Sequence, residues 1–121
     1  MISEDLEFLK LVEKGDFKKV KETFEKNYNI HENYFLCMQA LESAAEPGDQ
    51  FDINVKMHED IVKYLLSKGC DPTWDNNILF GYAAKQGNLK MVKWLLKNYP
   101  EINPVDRNFY GIGLAWENGH T

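Results

Sequence analysis

The sequence predicts an all-α fold, a helical solenoid of about three and a half repeats. Three observations carry that expectation. Residues 75–104 lay out two short amphipathic helices, with a Gly87-Asn88 turn between them and an Asn103-Pro104 exit. Neighbouring segments fill the same apolar positions, and a supersecondary unit recurring at a period of ~30 residues is the signature of a solenoid. The 121 residues, 44% of them apolar, are one domain's worth of chain with enough material for a continuous core.

In chain order, Ser3 is the expected N-cap of a first helix, with Glu4 and Asp5 where the helix dipole favours negative charge. Leu6, Leu9 and Val12, with Phe8 and Leu11 beside them, mark its apolar face at helical spacing. Gly15-Asp16 ends it, and a second helix begins at Phe17 and runs through Phe24 to a Lys26-Asn27-Tyr28 exit that repeats Lys97-Asn98-Tyr99. Lys18, Lys19, Lys21, Glu22 and Glu25 form a solvated face, as the capping repeat of a solenoid requires. This first unit covers residues 4–32.

The second unit, residues 33–74, opens with a helix over 33–45, because Phe35-Leu36 aligns with Ile78-Leu79 and Ala40 with Ala83. Residues 46–57 then have no helical period and carry a Pro47-Gly48 break, so they read as an inserted loop. The offset between matching positions falls from 43 residues, Ala40 to Ala83, to 30, Leu66 to Leu96, which sizes the insertion at roughly a dozen residues. Phe51, Ile53 and Val55 alternate within it. Residues 58–66 superpose on 88–96, and Gly69 fits the left-handed position just beyond a helix C-terminus. The third unit is residues 75–105. The fourth, 106–121, supplies only a first helix, with Ala115 on Ala83 and Gly119 on Gly87.

Composition narrows the function classes. No stretch approaches the ~20 apolar residues of a membrane span, and the opening Met1-Ile2-Ser3-Glu4-Asp5 is unlike a signal peptide. A net charge of −5 argues against a nucleic-acid partner. Cys37 and Cys70 occupy unlike positions of the pattern and flank no metal-ligand spacing, so reduced thiols are expected, in a cytoplasmic setting.

Three fragments resemble the ankyrin repeat. Leu65-Leu66-Ser67-Lys68-Gly69-Cys70-Asp71-Pro72 is similar to that family's helix exit. Ala83-Ala84 followed by Gly87-Asn88-Leu89 resembles its paired alanines and its Gly-His-Leu turn between helices. Glu117-Asn118-Gly119-His120 matches its commonest turn wording. The Thr-Pro-Leu-His opening of the first helix is absent, replaced by Ile78-Leu79-Phe80-Gly81 and Tyr110-Gly111-Ile112-Gly113. Asp75 and Asp106 lie 31 residues apart, against about 33 in ankyrin repeats. The resemblance therefore implies short hairpin fingers. The clipped wording also resembles ankyrin repeats of large DNA viruses and phages.

No catalytic constellation emerges. His31, His58 and His120 sit at a repeat exit, a helix start and a turn, and a metal site needs three or four oriented ligands. Cys37 aligns with Phe80 and Ile112, which predicts a buried core thiol rather than a nucleophile. The carboxylates Glu4, Asp5, Glu7, Glu59 and Asp60 fall at helix starts. Gly111 and Gly113 follow a turn, not a strand, so they make no phosphate loop. Lys90, Lys93 and Lys97 read as a solvated face. The reading is no enzyme, no cofactor and no metal.

What the resemblance does imply is a protein-binding module that grips a partner through fingers and the exposed edge of its first helices, a concave face. By position the candidates are Trp74, Asn76, Asn77, Tyr82, Lys85 and Gln86 in the third repeat, with Arg107, Asn108, Phe109, Glu117 and Asn118 in the fourth. Trp, Tyr and Arg are the types that most often anchor interfaces. Two alternatives stand beside this. One is a virus- or phage-encoded inhibitor occluding a host factor in the host cytoplasm, through the acidic surface. The other is self-association through the end that lacks a second helix, where Ile112, Leu114 and Trp116 lie uncovered.

Overall fold

Each helix of this chain starts and stops where its local chemistry directs it. The computed structural model describes residues 3–48 and 55–102. Among them are six helices and no strand: α1 (Ser3–Lys14), α2 (Phe17–Asn27), α3 (Tyr34–Ala45), α4 (Glu59–Ser67), α5 (Trp74–Lys85) and α6 (Leu89–Asn98). The chain divides into two compact units, Met1–Asp71 and Pro72–Thr121. Phe51 and Ile53 of the insertion lie outside the described residues, as does everything expected of residues 106–121.

Turns between paired helices share one design. Gly15 (φ 80°) and Gly87 (φ 67°) take the left-handed conformation that a side chain resists. At each, the residue after the glycine bonds back five residues, Asp16 N–H to the Leu11 carbonyl (3.2 Å) and Asn88 N–H to the Ala83 carbonyl (2.9 Å). The glycine N–H bonds back three, to Val12 and to Ala84, 3.0 Å each, so the last carbonyls of the first helix are satisfied. The same asparagine or aspartate then caps the next helix. Asp16 Oδ1 accepts from Lys19 N–H (3.2 Å) and Asn88 Oδ1 from Met91 N–H (3.1 Å). Gly69 (φ 110°) closes α4 by the same pattern.

The second repeat departs from this plan at the insertion. Aligned on Ala40 and Ala83, α3 should stop near Glu42, yet it continues to Ala45. Its added turn, Ala44 and Ala45, is fully buried, so the extension is driven by core contact. The chain returns at Met57, also buried, and the His58 N–H bonds the Ala44 carbonyl at 2.8 Å. His58 then occupies the cap of α4 with nearly the backbone of Asp16 and Asn88, φ −85° and ψ 87°. Its ring serves another repeat: Nε2–H donates to the Glu13 carbonyl at the end of α1, 2.8 Å away. The carbonyl can only accept, which fixes the proton on Nε2.

In the first unit α1 packs on α2 and α3, and α4 packs on α2 and α3. Val20 and Val62, at matching positions of α2 and α4, are fully buried. Phe24 links the layers, with ring centroids 6.4 Å from Phe8 and 5.9 Å from Tyr64. Tyr28 closes the outer edge, 5.0 Å from Phe8, and its hydroxyl donates to Asp5 Oδ1 at 2.9 Å. Burial, and then that carboxylate, push the Tyr28 hydroxyl up to about 12. Asp5 thus holds a neighbouring repeat element as well as the start of α1.

In the second unit α5 packs on α6. Phe80, Ala83 and Leu95 are fully buried there, and Lys90, Lys93 and Lys97 are exposed as expected.

The expected apolar face of α1 needs correction. Phe8 and Val12, one turn apart, are buried, whereas Leu9 and Leu11 are half-buried and Leu6 is 48% exposed. Five apolar residues within seven positions exceed what one stripe can cover, and a helix can turn only one stripe inward. Leu6 lies on the far side from Phe8.

Candidate partner-binding surfaces

Leu6, Tyr34 and Phe35 are the large apolar side chains that stand exposed among the described residues, at 48%, 36% and 71%. All three belong to first helices of their repeats. Leu6 and Phe35 occupy the same register position, because Phe8 of α1 and Cys37 of α3 are matching buried residues two positions on. Since α1 and α3 pack together, this register places the two outward positions on neighbouring helices. Tyr34 and Phe35 meet edge to face with centroids 5.7 Å apart.

A polar clasp sets the start of α3. The Asn29 N–H donates to Asn33 Oδ1 (3.1 Å), the Asn33 N–H to the Asn29 carbonyl (2.9 Å), and the Glu32 N–H to Asn29 Oδ1 (2.9 Å). Asparagine side chains close such turns by imitating backbone. The turn delivers Tyr34 and Phe35 to the surface as the helix begins. Sequence reasoning passed over this pair, since Phe35 at a helical position looked like core. The signal was there in two adjacent aromatics, of which a helix can bury only one fully.

The candidates of the third repeat fall in the second unit. Trp74, expected in a finger ahead of the helix, instead opens α5 and is half-buried. Asn76 lies in the same first turn. Asp75 (φ 52°) and Asn77 (φ 65°) both take left-handed backbone, which Asp and Asn tolerate better than most residues. Asn77 Oδ1 is buried with no hydrogen-bond partner among the described residues. Of the rest, Tyr82 and Gln86 are half-buried and Lys85 is exposed. Arg107, Asn108, Phe109, Glu117 and Asn118 lie outside the described residues, as do Ile112, Leu114 and Trp116.

The two thiols come together. Cys37 and Cys70 are free and buried, and the Cys70 thiol donates to the Cys37 carbonyl at 3.6 Å. Hydrogen bonding with Cys37, with burial behind it, pushes the Cys70 thiol far above its ordinary range. Cys37 is the buried core thiol that its alignment with Phe80 predicts. No group of three or more His, Cys, Asp or Glu side chains that could hold a metal ion occurs among the described residues.

Paired helices, Gly-Asn and Gly-Asp turns and matched buried valines now meet a direct comparison: residues 9–108 match the family model of ankyrin repeats in three copies. The chain belongs to the ankyrin-repeat family. No curated protein and no solved structure matches it. Its fold is accordingly an all-α, ankyrin-like helical repeat fold, and ankyrin repeats are in general protein–protein interaction modules. Within this ankyrin chain α1, α3 and α5 are the first helices of their repeats, and α2, α4 and α6 the second.

Proposed function

We propose that this ankyrin-repeat protein is a non-enzymatic binding module that engages a protein partner through the exposed side of its first helices. The observation that carries the reading is the placement of Leu6, Tyr34 and Phe35, all on first helices and all in the first unit. A contiguous exposed apolar surface is costly to leave in water and marks interaction sites. Trp74, Asn76, Asn77, Tyr82, Lys85 and Gln86 are the corresponding candidates of the second unit.

The test is capture of partners from a lysate by the wild-type protein and by a Leu6→Ser/Phe35→Ser variant. Both side chains are exposed, so the variant should keep its unfolding midpoint, with a change of less than about 0.5 kcal/mol per site. Loss of the wild-type partner set supports the reading. Undiminished capture by a folded double variant rejects this placement.

A further inference from the structure

The exposed apolar residues sit within an uneven distribution of charge. Helices α1 and α3 together carry five carboxylates, Glu4, Asp5, Glu7, Glu13 and Glu42, against two lysines, Lys10 and Lys14; α3 has no basic residue at all. Glu32, exposed, immediately precedes α3. The lysines of the same unit concentrate on the second helices: Lys18, Lys19, Lys21 and Lys26 on α2, with Lys63 on α4. Just beyond α4, Lys68 is paired with Glu25 at 3.4 Å and stands over the Tyr64 ring at 5.5 Å. The first-helix side is therefore apolar and acidic, and the second-helix side is basic.

Resting on the reading above, we propose that the partner presents a basic amphipathic helix, its apolar stripe on Leu6, Tyr34 and Phe35 and its lysines or arginines toward Glu4, Glu7 and Glu32. Three features argue for this occupant. Leu6 and Phe35 come from neighbouring helices, and an apolar face with anchors at helical spacing is the recurring way to cover such a surface. The exposed carboxylates beside these residues would repel an acidic segment and would raise the rate and selectivity of a basic one. A second copy of this chain offers a poorer match, because its own first helices carry the same acidic excess. Lys10, one turn beyond Leu6, is the cation that such a partner would meet unfavourably.

The experiment uses the full chain and three labelled 18-residue peptides: a Leu/Lys amphipathic helix, a Leu/Glu helix of identical pattern, and a Lys/Ser peptide without an apolar stripe. Fluorescence anisotropy at low and high salt reads the affinity, and light scattering of the protein alone reads self-association. The Leu/Lys peptide should bind at least ten-fold more tightly than either control. Leu6→Ser/Phe35→Ser should weaken it at least ten-fold. Glu4→Gln/Glu7→Gln should weaken it several-fold and flatten its salt dependence, since exposed charge pairs are screened by salt. Lys10→Glu should tighten it.

Equal binding of the Leu/Glu and Leu/Lys peptides would overturn the basic partner. So would binding indifferent to the Leu6/Phe35 change, or a dimer of the wild-type chain that this change dissolves. The two claims separate cleanly. Lysate capture that depends on Leu6 and Phe35, with no peptide preference, leaves the binding module standing and removes the basic helix. Capture insensitive to both residues removes the module's placement itself.

Discussion

Helices α2 and α4 hold Val20 and Val62 at one register position, both fully buried, but their neighbours diverge. Lys19 is exposed where Ile61 is fully buried, and Thr23 is half-buried where Leu65 is fully buried. The first helices repeat the contrast, with Glu7 exposed where Leu36 is buried. Helix α6 follows the internal pattern, with Met91 and Leu95 buried at those two positions. One backbone plan thus serves as both a capping and an internal repeat. Residues common to both build the helix pair, and three positions on one side decide whether that side meets water or another repeat.

The largest expected effect separates those two kinds of position. Leu65→Ala removes a fully buried side chain and should cost about 2–5 kcal/mol, the usual range for such a cavity. Thr23→Ala at the matching position should cost less than about 1 kcal/mol. Urea unfolding of both variants checks this, and similar losses would show that the first repeat is covered on that side as the second is.

A smaller effect tests the joint between the repeats. A Cβ added at Gly15 would lie 2.7 Å from the His58 ring, which is itself tied to the Glu13 carbonyl. Gly48 has a similar backbone, φ 83° against 80°, but nothing within 4 Å. Gly48→Ala should therefore show the backbone cost alone, about 1–2 kcal/mol. Gly15→Ala should cost at least about 1 kcal/mol more, because the ring must also leave its carbonyl. Thermal melts of the two variants give the difference directly.

The third effect appears only in alkali. Tyr28 and Tyr64, the latter donating to Glu25 at 3.3 Å, are raised from 10.0 to about 12, by burial first and by Asp5 and Glu25 after it. Above pH 10 the unfolded chain releases these protons before the folded chain does. Their contribution is complete below that pH and is lost as pH rises through the folded values. Tyr28→Phe should make the fall in stability between pH 10 and pH 12 shallower. At neutral pH it should cost about 0.5–1.5 kcal/mol for the lost hydrogen bond. Denaturation midpoints at pH 8 and pH 11 separate the two.

Most of the fold was legible because repetition cross-checks each assignment. Gly87-Asn88 identified Gly15-Asp16 as the same turn, and the Leu-Leu pairs fixed the second helices. The unread parts depend on contacts that periodicity does not encode. A helical spacing of leucines cannot say which exceed the inward stripe, so Leu6 was counted as core. The extension of α3 to Ala45 depends on buried contact, and His58 capping one repeat while bonding another depends on distance through space. The site was less legible than the fold. Interface-prone residue types directed attention to Trp74, whereas exposure directs it to Phe35. Asp75-Asn76-Asn77 did carry a readable signal, since three such residues in a row permit the left-handed backbone found there.

The central claim is that the first-helix side of the N-terminal unit is the side that meets a partner. Photo-crosslinking tests it without knowledge of the partner's identity. A benzophenone side chain replaces Phe35 in one protein and the exposed Lys21, on α2, in another, and crosslinked protein is quantified after illumination in lysate. The account predicts a discrete adduct from position 35, competed away by unlabelled wild-type protein, and none above background from position 21. Adducts from position 21 with none from position 35 would contradict it.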